Sequence, residues 1–232
     1  MTLLTEPTRI VLAKGQPVPN DPNFAFNSLL LHGDGANGST VITDSSGSPK
    51  TVTAVGNAQI STAQSKFGGA SIAFDGNGDY LTLASNPNLA LGSGDFTIEM
   101  WVYSTATGVV QNFLDARASS TGYAVQKNPS NEITFYSEVA GSFIVNAALT
   151  ANQWVHVAIV RSSGTITLYL DGTSADTGAN TSNYTSQIAV IGARFSKNQQ
   201  YYTGYMDDCR ITKGVARYTA NFTPPTAPFP DI

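Results

Sequence analysis

The sequence predicts an all-β protein, either a sandwich or a barrel. Short runs rich in Val, Ile, Thr, Tyr and Phe recur along the chain, separated by clusters of Gly, Asn, Asp, Ser and Pro, which is typical of that class. Several runs alternate apolar and polar side chains, as a half-buried strand requires. No run has the periodicity of a helix of ordinary length. At 232 residues, the chain is long enough to form one large β domain.

Residues 1–25 predict an extended N-terminal arm. Its prolines favour extended backbone, and they are Pro7, Pro17, Pro19 and Pro22. The apolar run Ile10–Ala13 could add a strand to the sandwich or to a neighbouring subunit, because an exposed strand edge accepts backbone hydrogen bonds. We therefore expect a homo-oligomer in which neighbours exchange the arm.

Two later segments have clear strand patterns. Alternate positions of Phe96–Val102 are apolar, beginning at the phenylalanine, so one face of this strand is expected in the core. The run Trp154–Val160 leads through the turn Ser162–Gly164 into Thr165–Leu170. This hairpin ends at Asp171-Gly172, a pair suited to the positive φ angles of a type I′ turn.

Five ordered motifs resemble the laminin-G-like branch of the concanavalin-A-like jelly rolls. They are Phe67–Leu83, Phe96–Val102, Trp154–Ala158, Leu168–Gly172 and Gly204–Lys213. The resemblance implies a two-sheet antiparallel jelly-roll sandwich over residues 26–222, followed by a Pro-rich tail over residues 223–232. The superfamily includes lectins, carbohydrate-binding modules, adhesion domains and some glycosidases, so the fold alone does not fix the function.

The sequence does not predict an enzyme. Glycosidases of this superfamily carry a Glu-x-Asp-x-Glu pattern on one strand, so that neighbouring carboxylates act as nucleophile and acid. Here Glu99 stands alone in its strand, and Glu132 and Glu138 are six residues apart. His32 and His156 also lack zinc-like spacing. No catalytic residue is therefore assigned.

Composition limits the classes of partner. Only 12% of residues are charged, the net charge is -4, and Lys and Arg form no cluster. Nucleic acid is therefore not an expected partner, because basic patches supply most of the affinity for it. The chain also has no apolar segment long enough for membrane insertion. A surface rich in hydroxyls and amides instead suits carbohydrate or packing into a larger assembly.

The preferred sugar-binding residues lie in one segment before the last strand motif. Sugar C–H faces stack on aromatic rings, while amides and charged groups bind hydroxyls. The candidates are Arg194, Asn198, Gln199, Gln200, Tyr201 and Tyr202. In related domains the concave face and its rim carry ligands, which by resemblance adds Arg117, Tyr123, Tyr136, Asn183 and Tyr184.

One structural Ca²⁺ is expected, held by Asp75, Asn77, Asp79 and Asp207. The loop Asp75–Asp79 offers the oxygen ligands that calcium prefers, and in laminin-G-like domains the segment corresponding to Asp207 lies near it. Alternation places Asp207 on the core side with Cys209, which is itself interpreted as a small core residue. A buried carboxylate needs a cation or several hydrogen bonds. The alternative is a hairpin turn plus an aspartate satisfied by backbone N–H groups.

The predicted function is that of a non-enzymatic virion surface protein. The segment Met1–Pro7 lacks the basic and apolar regions of a secretion signal, and Ile211–Pro225 resembles the end of laminin-G-like domains in phage virion and bacterial surface proteins. We expect a capsid decoration or fibre-type appendage that contacts other virion proteins through its arm and could bind cell-surface glycans. The alternatives are a structural virion subunit without sugar binding, an extracellular or cell-surface bacterial adhesin and, least favoured, a glycoside hydrolase.

Overall fold

The computed structural model describes residues 20–117 and 120–232, and most regular structure in these ranges is β-strand. Two 3-10 turns, η1 (Phe24–Phe26) and η2 (Pro87–Leu89), accompany the strands. No helix in the described ranges has the length and apolar character needed to cross a lipid bilayer. The strands are β1 (Asn27–Leu31), β2 (Val52–Val55), β3 (Gln59–Ser61), β4 (Ser71–Asp75), β5 (Tyr80–Leu83), β6 (Phe96–Ser104), β7 (Gln111–Asp115), β8 (Tyr123–Lys127), β9 (Glu132–Ser137), β10 (Ser142–Ala148), β11 (Trp154–Ser162), β12 (Thr165–Leu170), β13 (Thr173–Ala179), β14 (Val190–Ile191) and β15 (Thr203–Lys213).

These strands form two antiparallel sheets. The eight-stranded sheet has the order β13-β12-β11-β6-β15-β4-β3, and β1 pairs with β15 beside this path. The seven-stranded sheet has the order β10-β9-β8-β7-β14-β5-β2. Strands distant in the sequence, such as β6 and β15, are direct neighbours. The predicted two-sheet antiparallel jelly-roll sandwich is confirmed.

The hydrophobic core lies between the two sheets. In β6, Phe96, Ile98, Met100 and Val102 belong to this core, and the residues between them face outward. Alternation therefore assigned the faces of this strand correctly. Cys209 is also buried in the core, as expected for a small apolar side chain.

Two tight turns have the predicted geometry. Ser163 and Gly164 between β11 and β12 have φ angles of 49° and 80°, and Asp171 and Gly172 between β12 and β13 have φ angles of 46° and 75°. Positive φ at both central residues defines a type I′ turn, which matches the twist of the flanking strands. A Cβ atom on Gly172 would lie 1.9 Å from the carbonyl oxygen of Phe222, so only glycine fits there.

Strand β15 contains a bulge at Asp207 and Asp208. Asp208 has a φ of 45°, and the register with β6 shifts at this point. Met206 and Cys209 both face the core although they are three residues apart. Asp207 consequently lies opposite Trp101, on the outer face of the sheet. The prediction that Asp207 faces the core was wrong, because the extra residue of a bulge interrupts strand alternation.

Residues after β15 cover part of the outer face of the eight-stranded sheet. Phe229 is buried, and its ring centre lies 3.7 Å from the Arg210 guanidinium carbon. The backbone N–H of Phe229 donates a 2.7 Å hydrogen bond to Asp208. Tyr218 and Phe222 stack on each other with ring centres 3.6 Å apart and pack against the same face. The C-terminal tail is thus fastened to the sandwich.

The segment before β1 and the C-terminal tail meet on this side of the molecule. Asp21 donates a backbone hydrogen bond of 3.0 Å to the carbonyl oxygen of Ile232. Its carboxylate accepts hydrogen bonds from Arg217, at 3.0 and 2.7 Å. Residues 1–19 of the predicted arm, including the strand predicted at residues 10–13, lie outside the described residues. Exchange of the arm between subunits stays a prediction.

Candidate functional site

A row of four side chains crosses the outer face of the seven-stranded sheet. Asp115, Ala124, Tyr136 and Phe143 stand directly opposite one another in β7, β8, β9 and β10. Directly opposed residues of antiparallel strands project to the same face. Tyr136 and Phe143 make an edge-to-face contact, with ring centres 5.0 Å apart. Phe143 is 56% exposed, so much of its ring is open to solvent.

Arg117 spans this row from Asp115 to Tyr136. Its Nε donates to Asp115 Oδ1 at 3.0 Å and its Nη2 donates to Asp115 Oδ2 at 2.6 Å. The guanidinium carbon lies 5.4 Å from the centre of the Tyr136 ring. Ala124, between these two residues, is small and fully buried, which leaves room for the arginine above it. A bidentate pair of this kind holds the guanidinium plane in a fixed orientation.

A polar row lies beside the first. Asn112, Gln126, Thr134 and Asn146 are opposite one another on the same face. Asn112 Nδ2 donates a 2.8 Å hydrogen bond to Gln200 Oε1, and the Asn112 backbone N–H donates to the Gln200 carbonyl oxygen at 3.0 Å. These contacts attach the loop before β15 to the sheet. We name the set Asn112, Asp115, Arg117, Tyr136, Phe143 and Gln200 the sheet-face site.

The predicted sugar-binding segment forms a compact loop at the rim of the sheet-face site. The backbone N–H of Arg194 donates to the Gln199 carbonyl oxygen at 3.2 Å, and the Lys197 N–H donates to the Arg194 carbonyl oxygen at 2.8 Å. Asn198 and Gln199 are exposed, while Arg194 is half-buried. Tyr201 is half-buried and its hydroxyl donates to the Lys197 carbonyl oxygen at 2.9 Å. The loop therefore offers amides beside the sheet face.

Tyr202 does not lie in the sugar-binding surface that the sequence predicted for it. It is fully buried, with its ring centre 5.8 Å from that of Phe74 and 5.0 Å from that of Phe113. Its hydroxyl donates to the Tyr205 carbonyl oxygen at 3.2 Å. A ring enclosed in the core cannot stack on a ligand, so the assignment of Tyr202 to a sugar site was wrong. Tyr123 and Tyr184, considered by resemblance, are likewise fully buried in the core, whereas Tyr136 lies in the sheet-face site.

Sequence reasoning missed Asn112, Asp115 and Phe143. These residues are separated by up to 31 positions and come together only because β7 to β10 are successive antiparallel neighbours. The alternation of Tyr123-Ala-Val-Gln-Lys127 marks Ala124 and Gln126 as outward-facing residues. Combined with the hairpin order, that alternation could have identified the row.

The turn predicted to bind calcium satisfies its own carboxylates. Asp79 accepts hydrogen bonds from the backbone N–H groups of Asn57 and Asp75. Asp75 accepts from the Asn77 backbone at 2.7 Å and from Asn57 Nδ2 at 3.0 Å. Burial, together with the neighbouring charge of Asp75, raises the pKa of Asp79 above its usual value. Asp75, Asn77 and Asp79 are thus brought together, with Asn57 as a further polar neighbour.

Asp207 is satisfied at a different place by backbone donors. Its Oδ2 accepts from the N–H groups of Lys66 and Phe67 at 2.9 and 3.0 Å, and its Oδ1 accepts from the Asp208 N–H at 2.9 Å. Burial and the charges of Asp208 and Asp34 raise the pKa of Asp207 to about 7, against the opposing effect of the two amides.

The structure does not bring Asp207 to the calcium loop. Thr203 pairs with Asp75 across β15 and β4, so Asp207 lies four residues further along β15, at a distance of about 13 Å along the strand. Within residues 20–117 and 120–232, no three Asp, Glu, His or Cys side chains are placed to share a metal ion. Calcium binding at Asp75, Asn77 and Asp79 stays a prediction.

A family model of the concanavalin A-like lectin/glucanases superfamily, Laminin_G_3, matches residues 75–217. The match covers more than half of the chain and includes all of β5 to β15. The chain belongs to this superfamily. No curated protein sequence matches it. The resemblance carried by the five motifs is confirmed.

Several solved structures of binding domains share this fold. The binding domain of Paraclostridial Mosquitocidal Protein 1 is 17% identical, with a TM-score of 0.63, over 82% of this chain and 49% of that one. A structure of botulinum neurotoxin type C, whose cell entry depends on two ganglioside molecules, is 16% identical with a TM-score of 0.62, over 83% and 49%. Domain 4 of the arabinanase AbnA from Geobacillus stearothermophilus, bound to arabinotriose, is 16% identical with a TM-score of 0.60, over 82% and 93%. This chain spans about half the length of the toxin domains, and the likeness shows the fold.

Glu99, the isolated carboxylate of β6, lies among hydrogen-bond donors of the C-terminal part of the chain. It is fully buried on the outer side of the eight-stranded sheet. Arg210 and Tyr218 donate hydrogen bonds to its two carboxylate oxygens. The Glu99 carboxylate therefore helps to hold the segment after β15 against the sheet.

Proposed function

We propose that the chain is a non-enzymatic glycan-binding domain whose sugar site is the sheet-face site. The observation that carries this proposal is the row of Phe143, Tyr136, Arg117 and Asp115 on adjacent strands. A sugar ring presents apolar C–H faces and hydroxyl groups, so it needs an aromatic surface beside polar groups of fixed geometry. The row supplies both within one sheet face.

Phe143 provides the stacking surface. Its ring is 56% exposed and meets Tyr136 at an interplanar angle of 63°. The edge contact supports the ring from one side and leaves area on the other side for a ligand. Exposed aromatic area of this kind is unfavourable in water, and covering it with the C–H face of a sugar would be stabilising.

Arg117 provides the polar group of the row, and the fully buried carboxylate of Asp115 holds it in place. Their charges cancel, because the guanidinium and carboxylate are joined by two parallel hydrogen bonds. Gln200, which the buried Asn112 holds by a 2.8 Å hydrogen bond, extends the polar surface towards the rim loop. A neutral site rich in donors and acceptors suits uncharged glycan hydroxyls better than a strongly charged ligand.

The named relatives support the same class of ligand. One is a neurotoxin whose cell entry depends on gangliosides, and another is an arabinanase domain bound to arabinotriose. Both ligands contain sugars. At 16% identity these likenesses carry no residue-level correspondence, so the support is for a carbohydrate ligand and not for a particular glycan.

Binding to glycan arrays tests the site. The arrays should carry bacterial envelope polysaccharides and other glycans, with calcium present and after chelation. We expect saturable binding that Phe143→Ala weakens at least tenfold. Val41→Ala is the matched control, because Val41 is also exposed, at 75%, but is not part of the site. A folded protein that binds no glycan, or that binds equally well after Phe143→Ala, would contradict the proposal.

The proposed setting is the surface of a virus particle, as a capsid decoration or fibre-type appendage that recognises cell-surface glycans. The resemblance of Ile211–Pro225 to the ends of phage virion domains supports this setting, as does the predicted arm that would contact other virion proteins. Immunogold labelling of purified particles, together with mass spectrometry of their proteins, tests it. A chain found only in the medium or on bacterial cells would favour an adhesin instead.

A structural virion subunit is the second candidate. Val139 and Phe143, on the β9–β10 hairpin, are both exposed apolar residues, and such a pair also suits a contact between subunits. In that case Phe143→Ala would dissociate an oligomer in light scattering, and neither variant nor parent would bind glycans.

A further inference from the structure

An open pocket of about 180 Å³ lies where β1 begins and β15 ends. Its walls come from η1 with the start of β1, the turn at residues 47–48, η2 and the last residue of β15. We name it the β1–β15 pocket. Its lining includes Phe26, Asn27, Ser28, Ser48, Asn88 and Lys213. The volume is far larger than a single water molecule requires.

Phe26 forms an aromatic wall of the pocket. It ends η1, and its backbone N–H donates to the Asn23 carbonyl oxygen at 2.9 Å. Its side chain is 50% exposed. Among the large hydrophobic side chains that are exposed in the described ranges, the aromatic ones are Phe26 and Phe143. The pocket thus shares with the sheet-face site an open ring suited to stacking on a sugar.

Lys213 gives the pocket a positive charge. Its Nζ donates to the Pro87 carbonyl oxygen at 3.3 Å. No Asp or Glu lines the pocket, and no carboxylate of residues 20–117 or 120–232 lies within ion-pair distance of this ammonium group. An uncompensated cation in a chain whose net charge is -4 favours an anionic ligand.

The polar wall beside Lys213 is rigid. Asn27 Oδ1 accepts hydrogen bonds from Thr212 Oγ1 at 3.1 Å and from Arg217 Nη2 at 2.7 Å, while its Nδ2 donates to Asp21 at 3.2 Å. A wall fixed in this way loses little conformational freedom when a ligand binds.

Asn88 supplies a free amide at the pocket mouth. Its side chain is exposed and forms no hydrogen bond with any described residue. The amide can therefore donate to and accept from the hydroxyl groups of a ligand.

We propose that the β1–β15 pocket binds the carboxylate-bearing monosaccharide units of an acidic glycan, a specificity that rests on the proposed glycan-binding function. The Phe26 ring stacks on the sugar, Lys213 pairs with the carboxylate, and Asn88 binds hydroxyls. The sheet-face site, whose charges cancel, takes neutral units. The two sites together would recognise a polysaccharide that contains both kinds of unit.

Calorimetric titration with glucuronic acid, glucose and acetate tests this inference. We expect glucuronate to bind at least tenfold more tightly than either glucose, which lacks the charge, or acetate, which lacks the ring. Its affinity should fall as salt increases. Lys213→Gln should remove the preference for glucuronate over glucose, and Phe26→Ala should weaken both sugars. Lys66→Gln, with the same loss of charge at a lysine that lies over Trp101 and outside both sites, is the matched control and should change neither.

Failure of this inference is distinguishable from failure of the sheet-face site. Absence of glucuronate binding, or equal glucuronate affinity in the parent and Lys213→Gln, overturns the proposal that the β1–β15 pocket binds acidic sugars. If Phe143→Ala rather than Lys213→Gln abolishes glucuronate binding, the acid binds at the sheet face and the pocket is again overturned. If glucuronate binding depends on Lys213 and no neutral glycan binds, the pocket is supported and the proposal that the sheet-face site binds glycans is overturned.

Discussion

Arg210 donates two hydrogen bonds to the same oxygen of Glu99, from Nε at 3.0 Å and from Nη2 at 2.8 Å, with both side chains buried. Tyr218 donates to the other Glu99 oxygen at 2.8 Å. Although burial raises it, the pKa of Glu99 is held at about 2 by Arg210, His156 and Arg217. The glutamate therefore stays ionised beneath the C-terminal tail.

Glu99→Gln should destabilise the fold strongly. The substitution removes one of the two negative partners of the buried Arg210, the other being Asp21 at 3.3 Å, and breaking a buried ion pair from one side costs about 3–5 kcal/mol. Urea denaturation measures the free energy of unfolding. Glu138→Gln, at a half-buried position in the turn between β9 and β10, is the control and should change this free energy by about 0.5 kcal/mol or less. A similar effect of both substitutions would contradict a stabilising role for the Glu99 and Arg210 pair.

Stability should fall as pH rises through the range in which Asp207 ionises. Its folded pKa of about 7 lies above the ordinary value of 3.8, so the folded state binds the extra proton between these pH values and loses that advantage at higher pH. We expect the melting temperature of the parent to decline from pH 5 to pH 7, and Asp207→Asn to flatten the decline.

His32 adds to this pH dependence of stability above pH 6.5. Asp208, Asp34 and Asp231 raise the pKa of His32 above its ordinary value of 6.5, against the opposing effect of burial. The stability that His32 contributes is present below pH 6.5 and lost as pH rises through its folded pKa. Asp207→Asn should therefore retain this part. Identical melting profiles for Asp207→Asn and the parent would be evidence against the raised pKa of Asp207.

Ala124→Leu should block the sheet-face site. Ala124 lies beneath the Arg117 side chain, between Asp115 and Tyr136, and is fully buried. A leucine there would displace the guanidinium, so we expect glycan affinity to fall at least tenfold, with overpacking reducing stability by about 1–3 kcal/mol. Ala124→Ser preserves the small volume and should keep affinity within about threefold. Unchanged binding by a folded Ala124→Leu variant would place the sugar elsewhere.

Asp79→Asn should weaken the turn at residues 75–79 whether or not calcium is present. The carboxylate accepts hydrogen bonds from two backbone N–H groups, and an amide is a poorer acceptor. We expect a loss of about 1–3 kcal/mol in the free energy of unfolding. Melting curves with calcium and with chelator test the calcium prediction in parallel, because an ion bound only by the folded state raises the melting temperature. A calcium-dependent rise that Asp75→Asn removes would support the ion.

Local patterns predicted the elements of this fold well. Alternation assigned the faces of β6, and the Asp171-Gly172 pair predicted a turn with positive φ angles. These features depend on neighbours in the sequence. The face of Asp207 could not be predicted, because the bulge at Asp208 changes the phase of alternation and is set by pairing with β6. Period-two reasoning holds only until a strand acquires an extra residue.

The candidate site was less predictable for a related reason. Tyr201 and Tyr202 are adjacent, yet one is half-buried beside the rim loop and the other is enclosed by Phe74 and Phe113. The sheet-face site depends on the register of four strands, in which Asp115 aligns with Phe143 through two intervening residues. Composition identified the useful kinds of side chain, whereas only the strand pairing shows which of them share a face.

The hydrogen bond between Asp21 and Ile232 has a consequence for orientation. Both residues lie on the side of the eight-stranded sheet, whereas Phe143 faces outward from the opposite sheet. A tether at either residue would therefore attach the sandwich through the side of the eight-stranded sheet and leave the row of Tyr136 and Phe143 exposed to the surroundings. For immobilisation on a sensor surface, attachment after Ile232 leaves the sheet-face site free, and many copies anchored alike would display a uniform, multivalent layer.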